Sequence, residues 1–214
     1  MSDFPTASED FARKLLQIKA IRLQPQTPFT WASGWKSPIY CDNRLTLSYP
    51  ELRAFIALNL EQLALSFHAP FASVAGVATG GIAHGVLLAE RLNLPFAYVR
   101  SAPKSHGTGS QIEGQIPPGP VLVVEDLIST GKSSLEAVHA LRSAGHSVQH
   151  MLALFSYGFD MAEHRFSEAQ VQVKTISSYA DLIRVATAEN SIQSTEIEGL
   201  QAWRSNPENW NPNG

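Results

Sequence analysis

The chain predicts an α/β fold, a parallel sheet with helices on both faces, and three observations carry that reading. From residue 72 onward, short apolar runs rich in β-branched residues alternate with longer helical patterns, the sequence form of successive strand–helix–strand crossovers. The run Val121–Val124 has no polar interruption, as expected of a central strand covered on both faces. Glycine-rich or charged segments follow three of the strand runs, at Thr79–Gly81, from Arg100 onward and from Glu125 onward. In parallel sheets ligands gather at the carboxyl ends of the strands.

The elements follow in order. Residues 8–22 read as an amphipathic helix with Phe11, Leu15, Leu16 and Ile18 near one face. Residues 28–42, punctuated by Pro28, Gly34 and Pro38, suggest short strands and turns. Ser48-Tyr49-Pro50-Glu51 has the form of a capping box with Pro in the first turn, opening a helix to about residue 66. Strands are then expected at 72–77, 96–100, 120–125, 147–155 and 171–176, with helices at 82–92, 131–143, 159–167 and 178–188. A glycine-rich loop spans 101–117, and a last helix near 194–204 is expected on the outside. The organisation is an N-terminal helix and hood segment (1–47), a core (48–190), and a C-terminal helix with a polar tail (191–214).

Composition narrows the class. With 214 residues, 44% hydrophobic and 16% charged, the chain can build one substantial core. A net charge of −3 advertises no nucleic-acid partner. The single cysteine, Cys41, excludes an intrachain disulfide and fits a reducing cytoplasm. No apolar run is long enough to span a bilayer, and the N-terminal residues lack the pattern of a secretory signal.

The most informative stretch is GPVLVVEDLISTGKSS, residues 119–134. A buried strand runs into Glu125 and Asp126, then a turn of Ser129, Thr130 and Gly131, then a helical pattern. Backbone N–H groups at a helix N-terminus suit a phosphate, and the two carboxylates suit sugar hydroxyls. Gly131-Lys132-Ser133 looks like the end of a P-loop, but the glycine required five residues earlier is replaced by Asp126. A structural strand with a capped helix would explain the apolar run but not two adjacent acids.

This stretch resembles the phosphoribosyl pyrophosphate (PRPP) motif of the type I phosphoribosyltransferases. Residues 29–44, FTWASGWKSPIYCDNR, resemble the N-terminal hood segment of the orotate-using branch, and residues 98–114, YVRSAPKSHGTGSQIEG, resemble its mobile catalytic loop. The resemblance covers roughly residues 10 to 190. It implies a parallel-sheet phosphoribosyltransferase core with a small hood, joining orotate to PRPP and releasing pyrophosphate, with Mg²⁺ carried mainly by the PRPP and no dedicated metal ligands in the protein. Arg100, Lys104 and His106 map onto pyrophosphate-binding cations, and Lys104, His106 and Asp126 carry the catalytic roles. Glu125 and Asp126 map onto the acids for the ribose hydroxyls. Leu127, Ile128, Ser129, Thr130, Gly131, Lys132 and Ser133 complete the PRPP motif, with Ser129 also at the base. Lys36 maps onto a hood lysine reaching PRPP, and Thr79, Gly80 and Gly81 onto a loop that meets the pyrophosphate.

The sequence departs from some relatives at Ser101, where a second lysine often stands, at Trp35, and at Lys132, where many carry a small residue. It departs again at Ser156, where some use an arginine for the base carboxylate. The resemblance further implies a homodimer with active sites shared between subunits. A purine-type transferase would keep the PRPP motif without the hood and loop. A PRPP-sensing nucleic-acid regulator would need an added domain or a basic face. The remaining histidines, His84 among them, show no ligand spacing and read as structural or exposed.

Overall fold

The computed structural model describes residues 6–31, 33–102 and 110–211. Helix α1 (Ala7–Gln17) leads to β1 (Ile21–Leu23), β2 (Phe29–Thr30), β3 (Lys36–Ser37) and β4 (Ile39–Cys41), then a 3-10 helix at Asn43–Ser48. The core runs α2 (Pro50–Leu65), β5 (Ser73–Val77), α3 (Gly80–Leu92), β6 (Phe96–Val99), β7 (Ile112–Glu113), β8 (Pro120–Ile128), α4 (Lys132–Ser143) and β9 (Ser147–Ser156). It closes with α5 (Asp160–Glu168), β10 (Gln172–Ser178) and α6 (Tyr179–Ala188), followed by a 3-10 turn at Ser194–Glu196 and α7 (Ile197–Ser205).

The main sheet has the order β10-β9-β8-β5-β6-β7. Every neighbouring pair is parallel except β6–β7, a short antiparallel edge formed inside the segment expected to be all loop. The chain steps from β5 to β6 in one direction and from β8 through β9 to β10 in the other. Right-handed crossovers therefore put α3 on one face and α4 and α5 on the opposite face. The order reverses between β5 and β8, and the crevice beyond their carboxyl ends is where such sheets take ligands. β1 pairs with β4 and β2 with β3, both antiparallel, and these two ribbons make the hood.

The core confirms the central apolar run: Val121, Leu122, Val123 and Val124 are all buried. Four local expectations are corrected. The first helix stops at Gln17, because Lys19 turns into the left-handed region at φ 58, and its cap is a true capping box of Thr6 and Glu9. The capping box expected at Ser48 does not form: Ser48 is wound into the 3-10 helix, Tyr49 becomes the N-cap without a side-chain bond, and Pro50 takes the first helical position. β8 continues to Ile128, three residues past its expected end, because β9 goes on pairing with it. The last helix is not merely external, since Trp203 is 0% exposed. Its ring packs against Trp31, Tyr157, Phe159 and Tyr179.

Candidate active site

β8 pairs with β5 only as far as Val124, opposite Gly76, but with β9 as far as Ile128, opposite Ser156. Residues 125–128 thus have one edge in the sheet and the other open to the crevice. Glu125 and Asp126 were expected where the strand ends; they lie within it, at the point where its β5 neighbour stops.

A cavity of about 430 Å³ fills this crevice. Thr79 and Gly80 line one side, Glu125 and Asp126 the middle, and Ser129, Thr130, Gly131 and Ser133 the other side. Two helices begin at its rim. α3 starts at Gly80 and α4 at Lys132, and neither has a side-chain cap. Both N-termini therefore keep backbone donors and a positive dipole end for an anion.

The first turn of α3 approaches β8 very closely. A Cβ on Gly81 would stand 2.3 Å from the carbonyl oxygen of Val124, and one on Gly80 would stand 2.2 Å from the Asp126 carboxylate. Only glycine fits at Gly81, where the obstacle is backbone, whereas at Gly80 the obstacle is a side chain. At α4, Gly131 is the N-cap at φ 75, the left-handed conformation that glycine takes without penalty.

The Asp126 peptide is held at both ends. Its N–H donates to Glu125 Oε1 at 3.0 Å, and its carbonyl accepts from Asn43 Nδ2 at 2.7 Å. Glu125 is 5% exposed, and its Oε2 accepts from the Ser134 hydroxyl at 3.2 Å. Burial pushes the Glu125 carboxyl well above its ordinary value, and the neighbouring Asp126 adds to the rise by charge and by a shared hydrogen bond. Desolvation likewise pushes the Cys41 thiol up, with Asp126 and Asp42 reinforcing it, so this cysteine is a poor nucleophile. His84 is buried, with Nε2 3.5 Å from Thr46 Oγ1, and burial lowers its pKa to about 4; it is a neutral packing residue.

A second cavity, of about 280 Å³, adjoins the first and shares Cys41, Leu127 and Ser129 with it. Trp31, Tyr40 and Tyr157 give it aromatic walls. Trp31 and Tyr157 stack at 5.3 Å between ring centres. These rings suit a flat aromatic ligand.

Several sequence expectations meet in these cavities: Thr79, Gly80, Glu125, Asp126, Leu127, Ser129, Thr130, Gly131 and Ser133. Others do not. The Ile128 side chain is buried and faces a separate cavity beneath α5, as does Ser156. Ser156 therefore does not face the aromatic cavity; Tyr157 does. Lys132 lines a neighbouring cavity with Trp35 and Arg165. Gly81 packs against β8 behind the lining. Lys36 is absent from the lining of the larger cavity, and its Nζ donates to Thr30 Oγ1, a wall of the smaller one, at 2.8 Å. Arg100 stands one residue past β6 with Nη1 3.6 Å from Glu113 Oε1. Lys104 and His106 lie outside the described residues.

Sequence reasoning missed Asn43, Ser134, Tyr40 and Tyr157. It also missed Arg44, which lines the larger cavity and grips Asp42 through two bonds of 2.7 and 2.9 Å.

Residues 54–177 match the family model for the phosphoribosyl transferase domain. The orotate phosphoribosyltransferase of Bacteroides fragilis is 53% identical over 201 residues, covering 94% of this chain and 95% of that one. That of Listeria monocytogenes serotype 4b is 49% identical over 200 residues, covering 93% and 96%. The chain belongs to the orotate phosphoribosyltransferases. Among solved structures, the crystal structure of orotate phosphoribosyltransferase from Aeropyrum pernix superposes with a TM-score of 0.74 at 30% identity, over 86% of this chain and 99% of that one. The type I phosphoribosyltransferase fold expected from the sequence is the one observed.

Two predictions follow from this orotate phosphoribosyltransferase geometry. Gly81→Ala meets backbone and must displace β8 or α3, so its denaturation midpoint should fall. Gly80→Ala meets only a side chain that can swing aside, so it should stay close to wild-type stability while activity drops, by up to about 10²-fold for a displacement near 1 Å. Equal stability loss in both variants would contradict the distinction. The second concerns pH. Above the ordinary glutamate value of 4.5, the folded protein keeps a proton on Glu125 that the unfolded chain has lost. That contribution is complete at low pH and declines as pH rises through the raised folded value. Glu125→Gln should therefore gain stability relative to the wild type as pH increases, in unliganded protein unfolded by urea. A constant gap from pH 5 to pH 8 would refute the raised pKa.

Proposed function

We propose that the protein transfers the 5-phosphoribosyl group of PRPP to orotate, giving orotidine 5′-monophosphate (OMP) and pyrophosphate, as a step in making pyrimidine nucleotides. The observation that carries this reading is the placement of the acidic pair between two uncapped helix N-termini, with an aromatic cavity alongside. A sugar with anions at both ends fits that arrangement. Its 5′-phosphate lies on Ser129–Ser133 at α4, its hydroxyls meet Glu125 and Asp126, and its pyrophosphate lies toward Thr79–Gly81 at α3. The base stands on the aromatic walls beside Ser129.

The chemistry asks the protein to align two reactants and to stabilise growing charge. Arg100, Lys104 and His106 supply cations for the departing pyrophosphate, and the loop that carries the latter two closes over it to exclude water. Asp126, its peptide fixed by Asn43 and Glu125, holds the ribose hydroxyls beside the carbon that changes partners. The Asp126 carboxylate in the larger cavity is a hard oxygen donor that would suit Mg²⁺ carried mainly by the phosphate oxygens of PRPP and by water, and among the described residues no three acidic, histidine or cysteine side chains group as a metal cage. Bound with PRPP, the metal would neutralise charge on the leaving group. Among the described residues no helix is long and apolar enough to cross a membrane, and the single cysteine fits action in the cytoplasm.

The substrate reading is tested by incubating the protein with Mg²⁺, PRPP and a panel of bases while following pyrophosphate release. Orotate should react at least ~100-fold faster than adenine, hypoxanthine, guanine or uracil, about 2.7 kcal/mol of discrimination. Faster use of a purine would leave only the wider family. We further propose a two-fold dimer in which the loop bearing Lys104 and His106 serves the partner subunit. Lys104→Ala and Asp126→Asn, each nearly inactive, should then complement each other when mixed, restoring up to about a quarter of the sites. Proven heterodimers without recovered activity would place the loop on its own subunit.

A further inference from the structure

Orotate carries a carboxylate on its ring, yet no described side chain lining the aromatic cavity is a cation. An anion moved out of water into such walls needs a charged partner. Ser156, where the resemblance anticipated an arginine, faces away beneath α5.

One cation is attached to the cavity wall. Lys36 and Thr30 are cross-strand partners in the β2–β3 ribbon, and Lys36 Nζ donates to Thr30 Oγ1 at 2.8 Å. Thr30 itself lines the aromatic cavity. Among the described residues Lys36 forms no ion pair, so its charge is uncommitted. Its backbone is not free: Trp203 Nε1–H donates to the Lys36 carbonyl at 3.2 Å from a fully buried position. The same indole packs edge-on against Trp31, a wall of the cavity, with ring centres 5.8 Å apart. The lysine is therefore anchored at its main chain, and its ammonium, held only by the neutral Thr30 hydroxyl, stands beside the place where the base lies. Of the other nearby cations, Arg22 lies against the Tyr40 ring at 5.0 Å, Arg44 is paired with Asp42, and Lys132 and Arg165 line a cavity that shares Trp31 and Ser129 with this one, Arg165 being bonded to the Thr130 carbonyl at 2.7 Å.

We propose that Lys36 is the specificity-determining cation for the base, its ammonium meeting the ring carboxylate while Trp203 positions its backbone. This rests on the assignment of orotate as the base.

The test compares OMP with UMP, which differ only in that carboxylate. Affinities of the full-length protein are measured by calorimetry for wild type, Lys36→Met, Lys36→Arg, Trp203→Phe and Arg165→Gln. Wild type should bind OMP at least tenfold more tightly. Lys36→Met should lose roughly tenfold or more in OMP affinity, about 1.4 kcal/mol, and keep UMP and PRPP affinity within about twofold. Retained UMP binding also shows that the site is folded. Lys36→Arg should recover part of the preference, and Trp203→Phe, which lacks the indole N–H, should reduce it less than Lys36→Met. Equal losses for both nucleotides in Lys36→Met, a loss for PRPP instead, or loss of the preference in Arg165→Gln instead would overturn the assignment. A wild type with no preference for OMP would overturn the orotate reading itself, and this assignment with it.

Discussion

The closest backbone approach in the crevice sets the terms for everything around it. Gly81 lies so near the Val124 carbonyl that a single added carbon would stand 2.3 Å from it. This contact brings the first turn of α3 beside β8 just where β8 loses β5 as a neighbour. A longer side chain would push the helix away, and its N-terminal dipole would no longer bear on the Asp126 region, since the dipole effect fades beyond one turn. The parallel sheet supplies two helix starts at one edge. The glycines convert that general property into a site with one fixed distance between them.

Within that frame, the acidic pair is held in an arrangement that costs stability. Two carboxyl groups on successive residues, one of them buried, oppose double ionisation, and burial together with the Asp126 charge raises the Glu125 pKa. Ser134 and the Asp126 N–H donate to Glu125, which limits the penalty without removing it. Uncapped starts of α3 and α4 leave further donors unused within the protein. These features are unfavourable for an empty fold and favourable for one that receives hydroxyl donors between two anions. The same inventory of groups would be hard to rationalise as packing, because a core gains nothing from a buried carboxyl or an open helix end.

Much of the frame was legible because it rests on local chemistry. Strand–helix alternation, the apolar run Val121–Val124 and the glycine at the start of α4 each reflect a backbone requirement that any sequence must meet. What escaped depended on partners distant in the chain. Asn43 bonds to a carbonyl 83 residues away, and nothing in its neighbours announces that. β8 outruns its apolar run because β9 continues to pair with it, so Glu125 and Asp126 are strand residues despite their polarity. Ser48 had the local pattern of a cap, but the 3-10 helix before it consumed the residue. Tyr157 and Ser156 alternate along β9 and its end, and only the register says which one faces the base. Lys104 and His106 were singled out by resemblance and lie outside the described residues.

The hood shows how a weak element becomes part of a site. The β2–β3 ribbon has two residues per strand, far below what a hairpin needs to stand alone. Its order must come from tertiary packing. Trp31 supplies this by stacking on Tyr157 and meeting Trp203 edge-on, while Phe29 tilts against Tyr40. Arg22, with its guanidinium 5.0 Å from the Tyr40 ring, covers the outer side. Losing a buried ring of the Trp203 type costs about 3–5 kcal/mol in a well-packed core. That is large against the net stability of a domain, and much of it would fall on the hood. The aromatic cavity is therefore shaped from behind: α7, the last helix, fixes Trp203, Trp203 fixes Trp31 and the Lys36 backbone, and Trp31 with Thr30, the partner of Lys36, forms one wall of the cavity. The C-terminal segment acts on the chemistry through packing, with no side chain of its own among the described residues lining either of the two cavities.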